Sequence, residues 1–219
     1  MELLLRGERL LLLPERAVFW PARKTILLSD VHWGKSAHFR KNGIPMPGGT
    51  QEDDALRLAK IIRDHGAERM IVAGDFFHSK HNKEVEDFGR WRTAHSSLHI
   101  DFILGNHDIL PLQAYKSWDL QVHEEQLLEP PFLIIHDAPE AAGIDCDPND
   151  RRFTIHGHIH PGVKLQGLGR QAFTLPAFCV SDTCIILPAF GKFTGCKLVN
   201  SKDYKGIYVI GDGKVMKWK

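Results

Sequence analysis

The sequence predicts an α/β fold, and three observations favour this class. Short apolar segments alternate with helical periodicity between residues 25 and 104. Further apolar segments lie at 132–135 and 153–155, and the pattern from residue 163 onward is rich in strands. Strands that alternate with helices are typical of a sheet with helices packed on it. Because no linker or internal repeat interrupts the chain, we expect one domain over residues 1–219.

The strands are predicted from short apolar runs. Residues 8–13 and 17–20 are typical of an opening hairpin. Residues 206–218 predict a terminal hairpin that turns at the Gly-Asp-Gly triplet 211–213. Buried strands are predicted at 25–28, 69–73, 100–104, 132–135 and 153–155.

Two helical segments are predicted between these strands. Thr50 is expected to cap the first helix, with Asp53 in the capping-box position, and Gly66 to end it. A glycine- and proline-rich loop at 43–49 precedes this helix, and a mostly helical stretch covers 82–95.

Composition excludes several classes of protein. The 219 residues are 43% hydrophobic and 25% charged, which is ordinary for a globular chain. With 28 Lys and Arg against 27 Asp and Glu, the net charge of +1 gives no general support for nucleic-acid binding. No apolar run approaches the roughly 18 residues of a membrane helix, so no membrane association is expected. Charged residues interrupt the leucine-rich residues 1–14, which are typical of a first strand rather than a signal peptide.

The cysteines indicate a reducing compartment. None of the four forms a CxxC pair, and all are separate from the polar motifs described below. We expect reduced core thiols in a cytoplasmic protein. The residues are Cys146, Cys179, Cys184 and Cys196.

Potential metal ligands follow five of the predicted strands. In open α/β sheets, ligands bind beyond the carboxyl ends of the strands, so residues far apart in sequence can share a site there. A single Asp at a strand end is usually a turn former. Five strand ends that all carry Asp, Asn or His favour one shared site. The candidates are Asp30, His32, Asp75, Asn106, His136, His158 and His160.

The spacing of these residues suits two metal ions. Asp30 and His32 are two residues apart, as are His158 and His160. In extended backbone such side chains point to the same side. Seven ligands are too many for one tetrahedral ion but suit two ions that share a carboxylate, and Asp75 is the candidate bridge. Glycine permits the close backbone approach that such a cluster needs, and it precedes three of the ligands, at Gly74, Gly105 and Gly157.

The charge of such a cluster favours an anionic substrate. Two divalent ions outweigh Asp30, Asp75 and a bridging hydroxide by about one positive charge. Bound metal also lowers the pKa of water toward about 7 and so makes hydroxide available as a nucleophile. The pattern therefore indicates hydrolysis of phosphate esters.

These motifs resemble those of the calcineurin-like metallophosphoesterases. Five blocks occur in the order of that family: Asp30-x-His32, Gly74-Asp75, Gly105-Asn106-His107-Asp108, His136 and Gly157-His158-Ile159-His160. Other positions are similar to its bacterial ligase-associated DNA damage response branch: Lys35, Phe39-Arg40, Gly43, Pro47-x-Gly49, the Phe76-Phe77-His78-Ser79 run, and segment 187–195. The resemblance covers most of the chain, to about residue 195.

The resemblance implies a four-layer αββα sandwich of two mixed β-sheets flanked by helices, with a two-metal site. The implied ligands are Asp30, His32, Asp75 and His160 for one ion, and Asp75, Asn106, His136 and His158 for the other. His107 would be the catalytic histidine, which contacts the phosphate or protonates the leaving oxygen, and Asp108 would orient it. Arg40 is a candidate phosphate clamp. The implied cofactors are two divalent ions, most often Mn²⁺, with Fe, Zn or Co as alternatives.

The resemblance also implies a function in bacterial DNA repair. The expected activity is that of a phosphodiesterase, an endonuclease or other nuclease on single-stranded or damaged DNA, in which a metal-bridging hydroxide attacks the phosphodiester. A DNA ligase, a helicase and an exonuclease are the implied partners. Two alternatives stay open: a hydrolase of small nucleotides or other phosphoesters, and a non-catalytic metal-binding scaffold. The sequence does not predict the oligomeric state.

Other polar residues near the motifs have simpler interpretations. Lys35 is expected to be a solvated lysine, and Trp33 to pack in the core. His78 and His81 are expected on the rim of the site without a defined role. His156 is expected to support the site or to pack.

Overall fold

The computed structural model of the chain describes residues 1–78, 82–139, 141–142, 152–167 and 171–219. Three residues singled out in the sequence, Ser79, His81 and Cys146, lie outside this described part.

The first sheet contains seven strands in sequence order. β1 to β4 pair antiparallel, and β4 to β7 pair parallel. The strands are β1 Glu2–Leu5, β2 Glu8–Leu13, β3 Ala17–Trp20, β4 Thr25–Leu28, β5 Arg69–Ala73, β6 His99–Ile103 and β7 Gln121–His123. The parallel half places the carboxyl ends of β4, β5 and β6 side by side.

The second sheet is also mixed. Its strands follow the order β14-β11-β12-β13-β10-β9-β8, and β15 pairs with β12 and β16. β9, β10 and β13 are parallel neighbours. The strands are β8 Gln126–Glu129, β9 Phe132–Ile135, β10 Phe153–His156, β11 Pro161–Gln166, β12 Ala172–Val180, β13 Cys184–Ile186, β14 Lys197–Leu198, β15 Gly206–Gly211 and β16 Lys214–Lys217.

Three of the helices cover the outer face of the first sheet. Leu58, Val85 and Tyr115 pack with Met70 and Phe102 in one buried cluster. These residues come from α2, α3 and α4 and from β5 and β6, where the helices are α1 Lys35–Lys41, α2 Thr50–His65, α3 Lys83–Ala94 and α4 Leu112–Ser117. Among the described residues, no helix combines the length and apolar character needed to cross a membrane.

A second buried cluster joins the two sheets face to face. Leu12, Trp20 and Ile71 of the first sheet pack with Phe132 and Phe178 of the second. The outer face of the second sheet carries a smaller apolar cluster, against which Val199 and Tyr204 pack. The predicted α/β class with two mixed sheets is confirmed.

The element predictions hold with one error in detail. The terminal hairpin and the end of α2 at Gly66 are confirmed. The predicted capping box at Thr50 is wrong, because Gly49 is the N-cap in the left-handed region and makes no side-chain cap bond. The Thr50 hydroxyl instead donates to the carbonyl of Pro47 at 2.8 Å. The short helices α1 and α4 were not predicted, since each buries only one residue and shows no apolar periodicity.

Candidate metal centre

The loops that follow β4, β5, β9 and β10 bring two groups of possible metal ligands together at one edge of the sandwich. The first group is Asp30, His32 and His160, and the second is Asp75, His136 and His158. Within each group the three ligand atoms lie within 4.8 Å of one another. Parallel strands in each sheet present their carboxyl ends at the same edge, so residues far apart in sequence meet there.

The first group is deeply buried and incompletely bonded. Asp30 is fully buried and His32 is 3% exposed. Asp30 Oδ1 lies 3.0 Å from His160 Nε2, but the geometry is not that of a hydrogen bond. Among the described residues, Asp30 Oδ1, His32 Nε2 and His160 Nε2 are buried without a hydrogen-bond partner. Buried polar atoms without a hydrogen-bond partner cost free energy. A bound cation fits these three oxygen and nitrogen atoms because they can coordinate it.

In the second group, the nitrogen of the His136 ring that faces away from the other ligands is hydrogen-bonded. His136 Nδ1 donates to the carbonyl of Ala73 at 3.0 Å, which leaves Nε2 directed toward the group. That Nε2 lies 3.2 Å from Asn106 Oδ1 and 3.2 Å from His158 Nδ1. A carbonyl that fixes the tautomer of a histidine is the usual support of a metal ligand. Asn106 thus joins the second group, as the sequence suggested.

Asp75 lies between the two groups. Its Oδ2 is 3.5 Å from His136 Nε2 and 3.9 Å from His32 Nε2. Its Oδ1 accepts the backbone N–H of His107 at 2.9 Å. A carboxylate in this position can serve both groups, which is the position expected of a bridge.

The electrostatics of the site favour an ionised Asp75. Burial raises its pKa, but the hydrogen bond and charge of His136 lower it more, to about 2. The same contact raises the pKa of His136 to about 9 against the effect of burial. Burial, assisted by the charge of Lys35, lowers the pKa of His32 to about 2. These directions favour a neutral His32 and, without metal, a charged His136, so metal binding at the second group would release a proton from His136.

The ligand loops do not have the extended backbone that we expected. The φ angles of Asp30, His32, Asp75, His158 and His160 are 54°, 52°, 51°, 63° and 51°. All five residues are thus in the left-handed region, which costs free energy for side chains other than glycine. The i, i+2 pairs converge because the backbone coils at each ligand, not because side chains alternate along a strand.

His107 lies beside the two groups without belonging to either. Its ring stacks on His78 with centroids 4.7 Å apart and meets the edge of His32 at 5.2 Å. The backbone bond to Asp75 fixes its position relative to the ligands. A partly exposed histidine at this place can reach a bound substrate.

His78 is a site residue that the sequence analysis left without a role. It is 8% exposed, and its Nδ1 lies 3.2 Å from His32 Nδ1. Burial and the nearby His107 lower the pKa of His78 to about 4. A neutral His78 can accept the Nδ1–H of His32 and leave His32 Nε2 free for a metal. The sequence signals were its distance of three residues from Asp75 and its place in the Phe76-Phe77-His78-Ser79 run.

The chain matches a known protein family over most of its length. The profile of the family described as calcineurin-like phosphoesterase matches residues 23–195. The chain belongs to the calcineurin-like phosphoesterase family. The resemblance noted in the sequence is confirmed, and the protein is a phosphoester hydrolase of a metal-dependent family.

A solved structure is similar to this phosphoesterase over nearly its full length. The crystal structure of Pseudomonas putida nuclease MPE has 30% sequence identity and a TM-score of 0.81, and the match covers 99% of this chain and 98% of that chain. The phosphoesterase Yfce from E. coli has 14% identity and a TM-score of 0.46, with 88% and 96% of the two chains covered. No curated protein sequence matches this chain significantly.

Three glycines allow the ligand loops of the phosphoesterase to approach one another. An added Cβ would come closer than 3.0 Å to His136 at Gly74, to Asp75 at Gly105, and to Asp30 at Gly157. At Gly105 the overlap includes the backbone nitrogen of Asp75, which cannot rotate away.

Gly105→Ala is therefore expected to displace Asp75. We expect a loss of about 10–100-fold in hydrolysis of an aryl phosphodiester, the size associated with displacement of a catalytic group by about 1 Å. Gly48→Ala is the control, because a Cβ there meets nothing within 4 Å. Steady-state rates for both variants test this, and a wild-type rate for Gly105→Ala would contradict it.

Asp108 has different partners from the one we expected. Its carboxylate accepts backbone N–H groups from Phe77 at 2.7 Å, Gly105 at 2.9 Å and Phe76 at 3.3 Å. No hydrogen bond to the ring of His107 occurs in the described structure. Burial raises the pKa of Asp108 to about 8 in spite of these donors. The residue joins the loops after β5 and β6 and so holds Asp75 and Asn106 in place, rather than the ring of His107.

Asp108→Ala is expected to destabilise the fold, because it leaves three backbone donors without their acceptor. We expect the free energy of unfolding to fall by about 2–4 kcal/mol. Urea unfolding with a chelator measures this without a contribution from metal. Asp203→Ala, at an exposed carboxylate, is the control. Equal stability of the two variants would contradict the tethering role.

The structure also places the two candidate cations. Arg40 is paired with Glu84 and is 44% exposed, so it does not reach the ligand groups as it stands. Lys35 interacts electrostatically with the ligand groups. Burial lowers its pKa, and the negative charges of Asp30 and Asp75 raise it. Its Nζ donates to the Thr194 hydroxyl at 3.4 Å. Lys35 is thus a part of the site rather than a solvated lysine.

Two further predictions of packing fit the structure. Trp33 is buried, and its indole N–H donates to the carbonyl of Glu84 at 2.7 Å, so it is not available to stack on a ligand. His156 is 1% exposed behind the last ligand loop. Cys179, Cys184 and Cys196 are free thiols, and burial raises the pKa of Cys179 to about 12.

Proposed function

We propose that this phosphoesterase is a manganese-dependent phosphodiesterase that cleaves single-stranded DNA. The observation that carries the proposal is the pair of ligand groups that meet at Asp75 beside His107. The DNA substrate is supported by the 30% identity to a solved nuclease over 99% of the chain.

The donors divide between two ions. Asp30, His32, Asp75 and His160 would hold one, and Asp75, Asn106, His136 and His158 the other. Mixed nitrogen and oxygen donors suit Mn²⁺, and Fe, Zn or Co can occupy such sites. When bound, two divalent ions supply Lewis acidity and lower the pKa of water to near neutrality.

The chain's own residues complete the reaction. His107 is partly exposed beside the ligand groups and can donate a proton to the leaving oxygen, while its backbone is held by Asp75. His78 supports both His32 and His107. The charge of Lys35 interacts with both Asp30 and Asp75. One partly buried lysine offsets a single phosphate charge, which favours a diester over a doubly charged monoester.

The cellular setting is proposed from the family resemblance. We place the enzyme in the cytoplasm, in DNA repair, with a DNA ligase, a helicase and an exonuclease as partners. Co-purification of these enzymes with the tagged protein from its own host tests this setting independently of the chemistry.

One experiment tests the chemistry. The protein is stripped with a chelator and assayed on bis(p-nitrophenyl) phosphate, p-nitrophenyl phosphate and single-stranded DNA, with Mn²⁺, Mg²⁺, Zn²⁺ or no metal. We expect activity only with added metal, highest with Mn²⁺, and a faster rate on the diester than on the monoester. A monoester preference of about tenfold would favour a hydrolase of small phosphoesters. Inactivity on all three substrates would favour a scaffold, and diesterase activity without DNA cleavage would remove the nuclease claim.

A further inference from the structure

One surface segment crosses the metal centre between its two ligand loops. We call residues 190–198 the strap. The backbone N–H of Gly191 donates to the carbonyl of Asp30 at 3.1 Å, and that of Lys197 donates to the carbonyl of His160 at 2.9 Å. The strap is therefore fixed at both ends to residues of the first ligand group.

The outer side of the strap is aromatic and basic. A turn, closed by the bond from Thr194 N–H to the Gly191 carbonyl at 3.2 Å, contains Phe193, which is 46% exposed. The Lys192 side chain is also 46% exposed, with its Nζ 3.7 Å from the exposed carboxylate of Asp53, and Lys197 is exposed. By contrast, Phe190 is fully buried. The fold thus buries one aromatic ring of the strap and leaves the other in solvent.

Phe193 lines two spaces beside the first ligand group. One is a small cavity shared with His32 and Lys35, and the other is an open groove of about 620 Å³ that includes Arg16 and Lys192. Phe193 therefore lies between a candidate metal ligand and an open groove.

Charge distinguishes this groove from a second cavity beside the ligand groups. A cavity of about 340 Å³ beside His136 is lined by Glu124, Glu125 and Asp137. A phosphate backbone would be repelled there.

The groove on the strap side has a mixed lining. It carries the cations Arg16, Arg57 and Lys192 against Glu15 and Asp212, and Arg57 and Lys192 are also paired with Asp54 and Asp53. The cavity beside His136 has three carboxylates and no Lys or Arg in its described lining. A phosphate chain therefore meets less repulsion on the strap side.

We infer that the strap is the docking site for the single DNA strand that enters or leaves the metal centre. Phe193 stacks on an unpaired base, while Lys192 and Lys197 contact the flanking phosphates. An exposed ring between two lysines suits single-stranded DNA because unpaired bases present free faces for stacking, whereas those of a duplex are already stacked. This inference rests on the proposed function and specifies its substrate site.

Binding of a fluorescent oligothymidylate tests the stacking. All proteins carry His107→Ala, so that the DNA stays intact, and Mn²⁺ is present. Phe193→Ala is expected to weaken binding about tenfold or more, and Phe193→Trp to retain it. Trp218→Ala is the matched control, because Trp218 is 51% exposed and its backbone N–H donates to the carbonyl of Ile207, at the end of β15 away from the groove residues 210–213. Equal affinities of the Phe193→Ala and control proteins would overturn the stacking role.

The salt dependence of binding tests the two lysines. Each phosphate contact adds about 0.7 to the slope of log affinity against log salt for single strands, so Lys192→Ala/Lys197→Ala should reduce the slope by about 1.4. Lys24→Ala/Lys116→Ala removes the same charge next to the amino ends of β4 and β7, at the opposite edge of the sheet, and should leave the slope unchanged. An unaltered slope in the strap variant would overturn the phosphate contacts.

Further measurements distinguish a failure of this inference from a failure of the proposed function. Tighter binding of duplex DNA or of oligouridylate than of oligothymidylate would overturn single-stranded DNA as the occupant. If the protein binds oligothymidylate through Phe193 but cleaves no DNA, the strap stands and the nuclease proposal fails. With His107 intact, Phe193→Ala should reduce DNA cleavage about tenfold more than hydrolysis of bis(p-nitrophenyl) phosphate. Equal reductions would mean that Phe193 only packs against the metal site.

Discussion

Replacement of Asp75 by asparagine is expected to remove most of the bound metal and nearly all activity. Asp75 is 2% exposed, and its Oδ2 faces His136 and His32, one from each ligand group. An amide loses the negative charge that attracts both ions, so metal content should fall from about two ions per chain to below one. We expect hydrolysis of bis(p-nitrophenyl) phosphate to fall by roughly 10³-fold or more, since a metal supplies several kcal/mol of stabilisation.

Elemental analysis and steady-state rates measured on the same samples check this expectation. His158→Ala is the informative comparison, because His158 belongs to one group only and should cost less metal. Asp137→Asn is the control, since its carboxylate lies 3.3 Å from His158 but outside both groups. If Asp75→Asn retains two ions, another residue is the bridge.

The sequence predicts the edge of the fold where the site lies better than it predicts the local geometry. Apolar runs identify β4, β5, β6, β9 and β10 because these strands are buried and nearly uniform in character. The rule that parallel strands present their carboxyl ends together then places the residues that follow them. This step needs no knowledge of side-chain contacts, which is why it works from sequence alone.

Left-handed backbone at the ligands could not be predicted. Asp30 and His160 have positive φ angles that neither residue type favours in isolation. Tertiary bonds offset this cost: the N–H of Asp30 donates to Gly74 at 3.0 Å, and Asp30 Oδ2 accepts the N–H of His158 at 3.1 Å. Such bonds join segments more than 40 residues apart, so no local pattern reports them.

The contacts of the supporting residues escaped prediction for the same reason. His78 and Asp108 act through contacts with His32 and with the Phe77 amide, 46 and 31 residues away. A polar residue next to a ligand has many possible partners, and sequence alone does not choose among them. The geometry of the folded loops makes that choice.

His107→Ala is expected to separate catalysis from metal binding. The ring lies outside both ligand groups, so metal content should stay near two ions per chain. Cleavage of single-stranded DNA should fall by roughly 10²–10⁴-fold, the usual effect of removing a general acid or a phosphate contact. Hydrolysis of bis(p-nitrophenyl) phosphate should fall less, because p-nitrophenolate leaves without a proton whereas a sugar alkoxide needs one.

Rates on both substrates, with metal analysis of the same preparations, test this assignment. His95→Ala, at the end of α3 and bonded to the carbonyl of Trp91, is the control for loss of a histidine away from the centre. Loss of metal together with activity would mean that His107 is itself a ligand. Equal losses on the two substrates would mean that His107 contacts the phosphate rather than the leaving oxygen. A phosphate contact stabilises both reactions alike, whereas a proton donor assists only the reaction with the poorer leaving group.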